Sequence, residues 1–239
     1  MKTKQHSLRT AGGAQQAALC AVAATALLTS ACSATPIKRG EQSYEVKEKA
    51  TSLRVDDHAG AIEVIPGTGD VIKVTEKYEY SDDQPPTEHS VKGGELLLKN
   101  PGCGAGADKC VVKYRVEVPA ATATHLTLGG GEITVRGLSG ATYAKSDGGS
   151  VRITDSTART VTARVGGGDV TVALTAAPDK VEADTGGGNT TVRLPKGSYD
   201  VNAETGGGNR KVSVQNDSAS PHKIKASSGG GNVSVLPAD

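Results

Sequence analysis

Gly166-Gly167-Gly168-Asp169-Val170-Thr171-Val172 is answered twenty residues later by Gly186-Gly187-Gly188-Asn189-Thr190-Thr191-Val192, and again by Gly206-Gly207-Gly208-Asn209-Arg210-Lys211-Val212. Two further triplets end at Gly131 and Gly231, and a degenerate Gly148-Gly149 pair follows the first. The last glycines lie 18, 19, 20, 20 and 23 residues apart, the period of a structural repeat. A glycine inside a strand region costs roughly 0.5–1 kcal/mol. Five triplets therefore cost on the order of 10 kcal/mol, comparable to the whole stability of a domain. A geometry must demand them. Two demands fit: positive φ angles at a sharp corner, and stacking of neighbouring units without Cβ clashes.

Aligned on the last glycine, the repeats form columns. Two residues on stand Ile133, Val151, Val170, Thr190, Arg210 and Val233; four on stand Val135, Ile153, Val172, Val192, Val212 and Val235. Between them lie Thr134, Arg152, Thr171, Thr191, Lys211 and Ser234. This period-two alternation buries one face and wets the other. The strand before the glycines behaves likewise, with Leu126, Ala144, Ala163, Ala183, Ala203 and Ala226 in one column. Each repeat reads as strand, glycine corner, strand, turn. A unit of this size cannot bury its apolar face alone, so neighbours must stack. The chain has no Phe, no Trp, six Tyr and one Met, the composition of a narrow interior without room for large rings. The fold expected is an all-β solenoid of glycine-cornered repeats over 119–239, with a β-sandwich of glycine-rich hairpins as the competing reading.

The N-terminus carries Lys2, Lys4 and Arg9, an apolar run from Ala17 to Leu28, then Thr29-Ser30-Ala31-Cys32. A basic region, a short apolar segment and small residues before a cut describe an export signal over 1–31. The run is too short to span a bilayer permanently. Its end resembles a bacterial lipobox, which implies a diacylglycerol anchor on Cys32. Thr29 stands where a Leu is usual, and ordinary secretion after Ala31 or Ala34 is the alternative. Residues 32–40 would be a tether, and the protein would face outside the cytoplasm on the cell membrane. Cys103 and Cys110 then pair as a disulfide worth roughly 2.5 kcal/mol by loop entropy. The rival, half of a metal site, lacks a second Cys or His pair. The formal net charge of +1, with no Lys/Arg run, offers nothing to nucleic acid.

Residues 41–118 read as an N-terminal β region or cap, with strands at 71–80, 95–99 and 111–118. Gly60-Ala61-Ile62-Glu63-Val64 repeats the column pattern as a divergent first coil. Solenoid ends need covering because a terminal coil exposes unpaired backbone groups. Val118-Pro119, the corner before Glu132-Ile133-Thr134-Val135, Gly137-Leu138-Ser139-Gly140 and the later Gly-Gly-Gly-Asn/Asp corners resemble the bacterial "putative adhesin" family of exported β-strand-repeat domains, over roughly 44–236. The resemblance implies a right-handed β-helix-like fold at the cell surface and carries no catalytic residues.

No nucleophile elbow, zinc-helix or phosphate-loop motif is present. Asp56-Asp57-His58 reads as a turn between strands, with a metal as its rival. Gly206–Lys211 reads as a structural corner rather than a phosphate cradle, because the triplet recurs without basic followers. Calcium between Asp169, Asn189, Asn209 and Asn232 would need glycine-Asp turns on both sides of a roll; stacked Asn side chains bonding to one another need none. No cofactor and no metal are expected.

One face stands out. Thr134, Arg136, Arg152, Thr154, Thr171, Thr191, Arg193, Lys211, Ser213 and Ser234 point outward on the strands after the corners, without an acid. The opposite sheet carries Lys145, Arg164, Glu182, Asp184 and Glu204. The candidate binding face is Thr134, Arg136, Arg152, Thr171, Thr191, Arg193 and Lys211, meeting an anionic envelope polymer or a surface protein. The open edge expected at Val233–Leu236 would accept a partner strand. The sequence therefore reads as a non-enzymatic, lipid-anchored scaffold of adhesin type. The alternatives are an envelope-stress or regulatory lipoprotein sensing a peptide or lipid, and a β-helix carbohydrate hydrolase, which would need carboxylates that this face lacks.

Overall fold

The structure, a computed structural model, describes residues 36–104 and 107–238. The export signal and Cys32 lie outside these residues. Every regular element described is a β-strand: β1 Lys38–Val46, β2 Ser52–Pro66, β3 Ile72–Tyr80, β4 Glu88–Lys92, β5 Glu95–Asn100, β6 Cys110–Val118, β7 Ala123–Arg136, β8 Thr142–Ser146 and β9 Val151–Ser156. There follow β10 Thr160–Val165, β11 Val170–Leu174, β12 Lys180–Thr185, β13 Thr190–Leu194, β14 Ser198–Thr205, β15 Arg210–Val212, β16 Gln215–Asn216, β17 Lys223–Ser228 and β18 Val233–Pro237. The strands expected at 71–80, 95–99 and 111–118 are there. β1 begins inside the stretch read as a tether, and β4 had no expectation.

Each repeat is one coil. Its first strand pairs in parallel with the first strands of neighbouring coils, and its second strand with the second strands. The columns meet in register: Val135 with Ile153, Ile153 with Val172, Val172 with Val192, Val192 with Val235, and Val235 with Val212. All of these but Val212 are essentially fully buried. Burying one such side chain contributes roughly 1.5–3 kcal/mol, so the interior columns hold the coils together. β2 and β7 are long because each runs through the corner and serves both faces.

The order of coils departs from the order of the chain at both ends. β17 and β18 lie between β12/β13 and β14/β15. At the other end β2 lies between β5/β6 and β7. Val233–Val235 is therefore paired on both sides, which corrects the expectation of an open edge over Val233–Leu236. The outer strand at that end is β15, and its Arg210 occupies an inward-facing column, exposed to solvent. An inward-pointing charge is a recognised guard of a sheet edge. The opposite end is closed by antiparallel strands: β3 on β6, β1 on β3, and β4 on β5. Residues before 119 thus supply two coils as well as the strands that cover them.

The corners show what the glycines are for. A Cβ on Gly149, Gly168, Gly188, Gly231 or Gly208 would stand 1.8–2.3 Å from the carbonyl oxygen of the last glycine one coil away. The first glycines Gly166, Gly186, Gly229 and Gly206 meet a neighbouring carbonyl at 2.1–2.4 Å. The middle glycines Gly130 and Gly167 have nothing within 4 Å. Only Gly131 among the triplets has a positive φ, 130°, as does Gly60 in β2 at 149°. Coil stacking therefore demands these glycines, and the expected left-handed corner is largely absent.

In the outermost coil, β5 to β6, no glycine triplet makes the corner. The connection carries the Cys103–Cys110 disulfide, with Cα atoms 5.8 Å apart. Tyrosines also reach the interior, but at the ends: Tyr78 and Tyr114 under the antiparallel strands, and Tyr199 in the terminal coil, its hydroxyl donating to Pro195 O at 2.8 Å. The ring-free interior expected from composition holds only for the middle coils.

Candidate functional site

The outward residues of the second strands form rows along the stack because parallel pairing in register places like positions side by side. One row runs Thr134, Arg152, Thr171, Thr191, Ser234 and Lys211. The neighbouring row runs Arg136, Thr154, Ala173, Arg193 and Leu236. A bulge between β9 and β11 shifts this second row, with Asp155 at φ 53° as the extra residue. The seven candidate residues are thus brought to one surface. At about 4.8 Å per strand, Arg152 and Lys211 stand about 19 Å apart.

The cations differ in freedom. Arg152 lies 3.7 Å from Glu132, a corner residue. Arg193 is half-buried and engaged. Arg136 and Lys211 are exposed and have no ion-pair partner among the described residues. The rows also continue beyond the repeats that align on a glycine triplet. Glu63 of β2 sits beside Thr134, and Arg115 of β6 beside Glu63, the two joined as an ion pair. The face is therefore cationic and hydroxyl-rich toward the C-terminal coils and mixed in sign toward the antiparallel end. The repeat alignment missed this because β2 was not counted as a full member of the series.

Beside the face runs a polar ladder at the corners. Asp169 Oδ1 accepts from the backbone N–H and side-chain amide of Asn189, at 2.7 and 3.2 Å. Asn189 Oδ1 accepts the same pair from Asn232, at 3.0 and 3.2 Å. Asn232 Oδ1 accepts the N–H of Asn209 at 2.8 Å. The stacked Asn side chains bond to one another as expected, satisfying corner N–H groups that would otherwise lack acceptors. A second set of hydroxyls acts on the inside: Thr185, Ser228 and Thr205 each donate to the last glycine carbonyl of an adjacent coil and accept the N–H of their own last glycine.

Asp56-Asp57-His58 is not a turn; it lies within β2 where that strand rounds the corner. Asp57 is buried, accepts from Asn100 Nδ2 at 2.7 Å, and keeps its other oxygen without a partner. Burial pushes its carboxyl up to about 7, against the pull of Asn100 and the backbone N–H groups of Ala59 and His58. Nearby, buried Glu76 accepts from Tyr44 at 2.7 Å and from Tyr78 at 2.5 Å. Burial, then that carboxylate, pushes Tyr78 up to about 12. These groups plug the antiparallel end of the interior.

The family model described as Toastrack DUF4097 matches residues 115–236. No curated protein matches the chain. A solved structure named as a putative cell adhesion protein from Clostridium sporogenes aligns with TM-score 0.55 and 18% identity, covering 84% of this chain and all of that one. A putative adhesin from Bacteroides fragilis aligns with TM-score 0.46 and 15% identity, covering 84% of this chain and 97% of that one. At 18% identity the likeness to the first of these concerns the fold alone.

Proposed function

We propose that this chain, which belongs to the Toastrack DUF4097 family, is an exported, non-enzymatic surface scaffold whose second-strand face adheres to an anionic envelope polymer. In this reading Cys32 carries the lipid anchor, residues 32–40 lead to the coil stack, and the coils wind right-handed. The handedness follows the strong preference of parallel crossover connections. Adhesion is also the role in the name of the Clostridium sporogenes relative of like fold.

The observation that carries the reading is the placement of Arg136, Arg152, Arg193 and Lys211 on one surface of stacked, in-register strands, interleaved with Thr134, Thr171 and Thr191. A polymer with a negative charge in each repeat unit gains attraction from the cations and hydrogen bonds from the hydroxyls. Exposed charges of this kind act over about a Debye length, about 8 Å at physiological salt, so binding should weaken as salt rises.

The test is retention on a soluble poly(glycerol phosphate) polymer across a salt series. The wild-type chain is retained at low salt, and the combined Arg136→Glu, Arg152→Glu, Arg193→Glu and Lys211→Glu variant is not. Equal retention of the two would refute the face as the contact. Independently, Cys32→Ala should move the protein from the membrane fraction to the medium; its persistence in the membrane would refute the anchor.

A further inference from the structure

On the other face of the stack, between the coils of β2, β7, β8 and β10, the surface is notched. We infer that this notch is a binding site for a neutral pyranose ring. The inference does not rest on the cationic face, which lies on the opposite strands.

The notch arises from the same register that builds the columns. His125 of β7 and Tyr143 of β8 are partners across the pair, and their rings stack with centroids 4.3 Å and planes 15° apart. Next to Tyr143 in the following coil comes Thr162. Two residues earlier along each strand the outward positions are small, Ala123 and Ala141, so the surface drops beside the stacked rings. The result is an open cleft of about 300 Å3, with Glu95 at one end of its lining and Thr160 at the other. That volume falls at the lower end of the range for small-ligand sites.

The chemistry of the walls selects the ligand. His125 spends one ring face on Tyr143, which leaves Tyr143 as a wall with its other face toward Thr162. A sugar ring offers apolar C–H groups to such a wall and hydroxyls at its rim, and Thr160, Thr162 and Glu95 are placed to exchange hydrogen bonds with hydroxyls. No Lys or Arg lines the cleft, Glu95 does, and the guanidinium of Arg54 beside His125 is taken up by Asp56 at 2.9 Å, so a phosphate or uronate would meet no free counter-charge. The site therefore favours a neutral sugar over an anionic one. Of the six tyrosines, Tyr143 is the one projecting from the outer side of this face.

The experiment is an NMR titration of the full-length chain in micelles, following the ring resonances of His125 and Tyr143. The probes are N-acetylglucosamine trisaccharide and maltotriose as neutral sugars, and poly(glycerol phosphate) as the anion. A neutral probe should move both rings saturably. Tyr143→Ala and, separately, Thr160→Val with Thr162→Val should weaken binding about ten-fold, which is about 1.4 kcal/mol. Arg152→Glu, on the opposite face, should leave it unchanged while altering retention on the anionic polymer. The threonine variants keep the stacked rings and so decide the matter even if Tyr143→Ala does not fold. The inference is overturned if neither neutral probe moves the rings, if only the anionic polymer does, or if all the variants bind like wild type.

Discussion

Gly187 and Gly188 are neighbours in one corner, yet replacing each by alanine should move stability in opposite directions. A Cβ on Gly188 would stand 2.3 Å from Gly168 O, 2.5 Å from its carbon and 2.7 Å from Asp169 Oδ1. The first two are backbone atoms, and the third is a carboxylate oxygen held by two bonds from Asn189. Relief requires the coils to part by about 1 Å at a spacing of about 4.8 Å. That separation breaks or stretches the bonds between coils from Asn189 N to Asp169 Oδ1 at 2.7 Å and from Thr185 Oγ1 to Gly168 O at 2.6 Å. Two lost hydrogen bonds at about 1 kcal/mol each, plus about 1–3 kcal/mol of overpacking, put Gly188→Ala about 3–5 kcal/mol below wild type. At Gly187 the nearest atom to a new Cβ is Gly167 O at 3.5 Å, an ordinary contact, and φ is not positive. Gly187→Ala should therefore stabilise by about 0.4–1 kcal/mol, by restricting the unfolded chain. Urea denaturation with unchanged m-value measures both; in a chain of this size the gap corresponds to about 10 °C in Tm. Should Gly188→Ala match wild type, or Gly187→Ala prove equally damaging, stacking would not be the reason for the triplets.

Other expectations follow from single contacts. Because the folded pKa of Asp57 is raised, its stabilising contribution is complete below about pH 4 and is lost as pH rises through about 7. A Tm that falls from pH 5 to pH 8, and a flatter profile for Asp57→Asn, would bear this out; a Tm that rises over that range would refute it. Reducing Cys103–Cys110 should cost roughly 2.5 kcal/mol and speed hydrogen exchange in β5 and β6 while sparing β12 and β13. Exchange that rises uniformly would contradict a local role. Asn189→Ala removes the acceptor for two Asn232 donors and should cost about 1–2 kcal/mol in urea melts. Finally, Arg210→Val completes an apolar column at the outer strand and should produce dimers or larger species by light scattering; a strictly monomeric variant would show that Arg210 does not guard the edge.

The columns were legible because period-two alternation leaves a chemical mark: Val135, Ile153, Val172, Val192, Val212 and Val235 could share a face only if their coils were in register. The vertical order of the coils left a fainter one. Exchanging the coil of 198–212 with that of 223–237 puts Val against Val either way, so column matching cannot order them. The clues were the longer spacing of 23 residues before Gly231, and Arg210 in a column of apolar side chains. The glycines were read as necessary, but sequence does not separate a demand on φ from a demand on space; Gly131 answers the first, while Gly168 and Gly188 answer the second. The cation rows followed from periodicity alone. Their extension through Glu63 and Arg115 did not, because β2 meets β6 out of chain order. The His125–Tyr143 stack lay in the same alignment, six residues before each last glycine, and passed unremarked because its columns otherwise hold unlike residues.

The exchanged places at the C-terminal end make residues 223–237 a keystone. The segment 198–212 reaches β12 and β13 only through residues that follow it in the chain, since the seat against those strands belongs to β17 and β18. In the finished stack the final strands occupy that seat and grip both neighbours at once. A chain without residues 223–237 would leave the coil of 198–212 with no partner strands in the stack, and so would forfeit two turns rather than one.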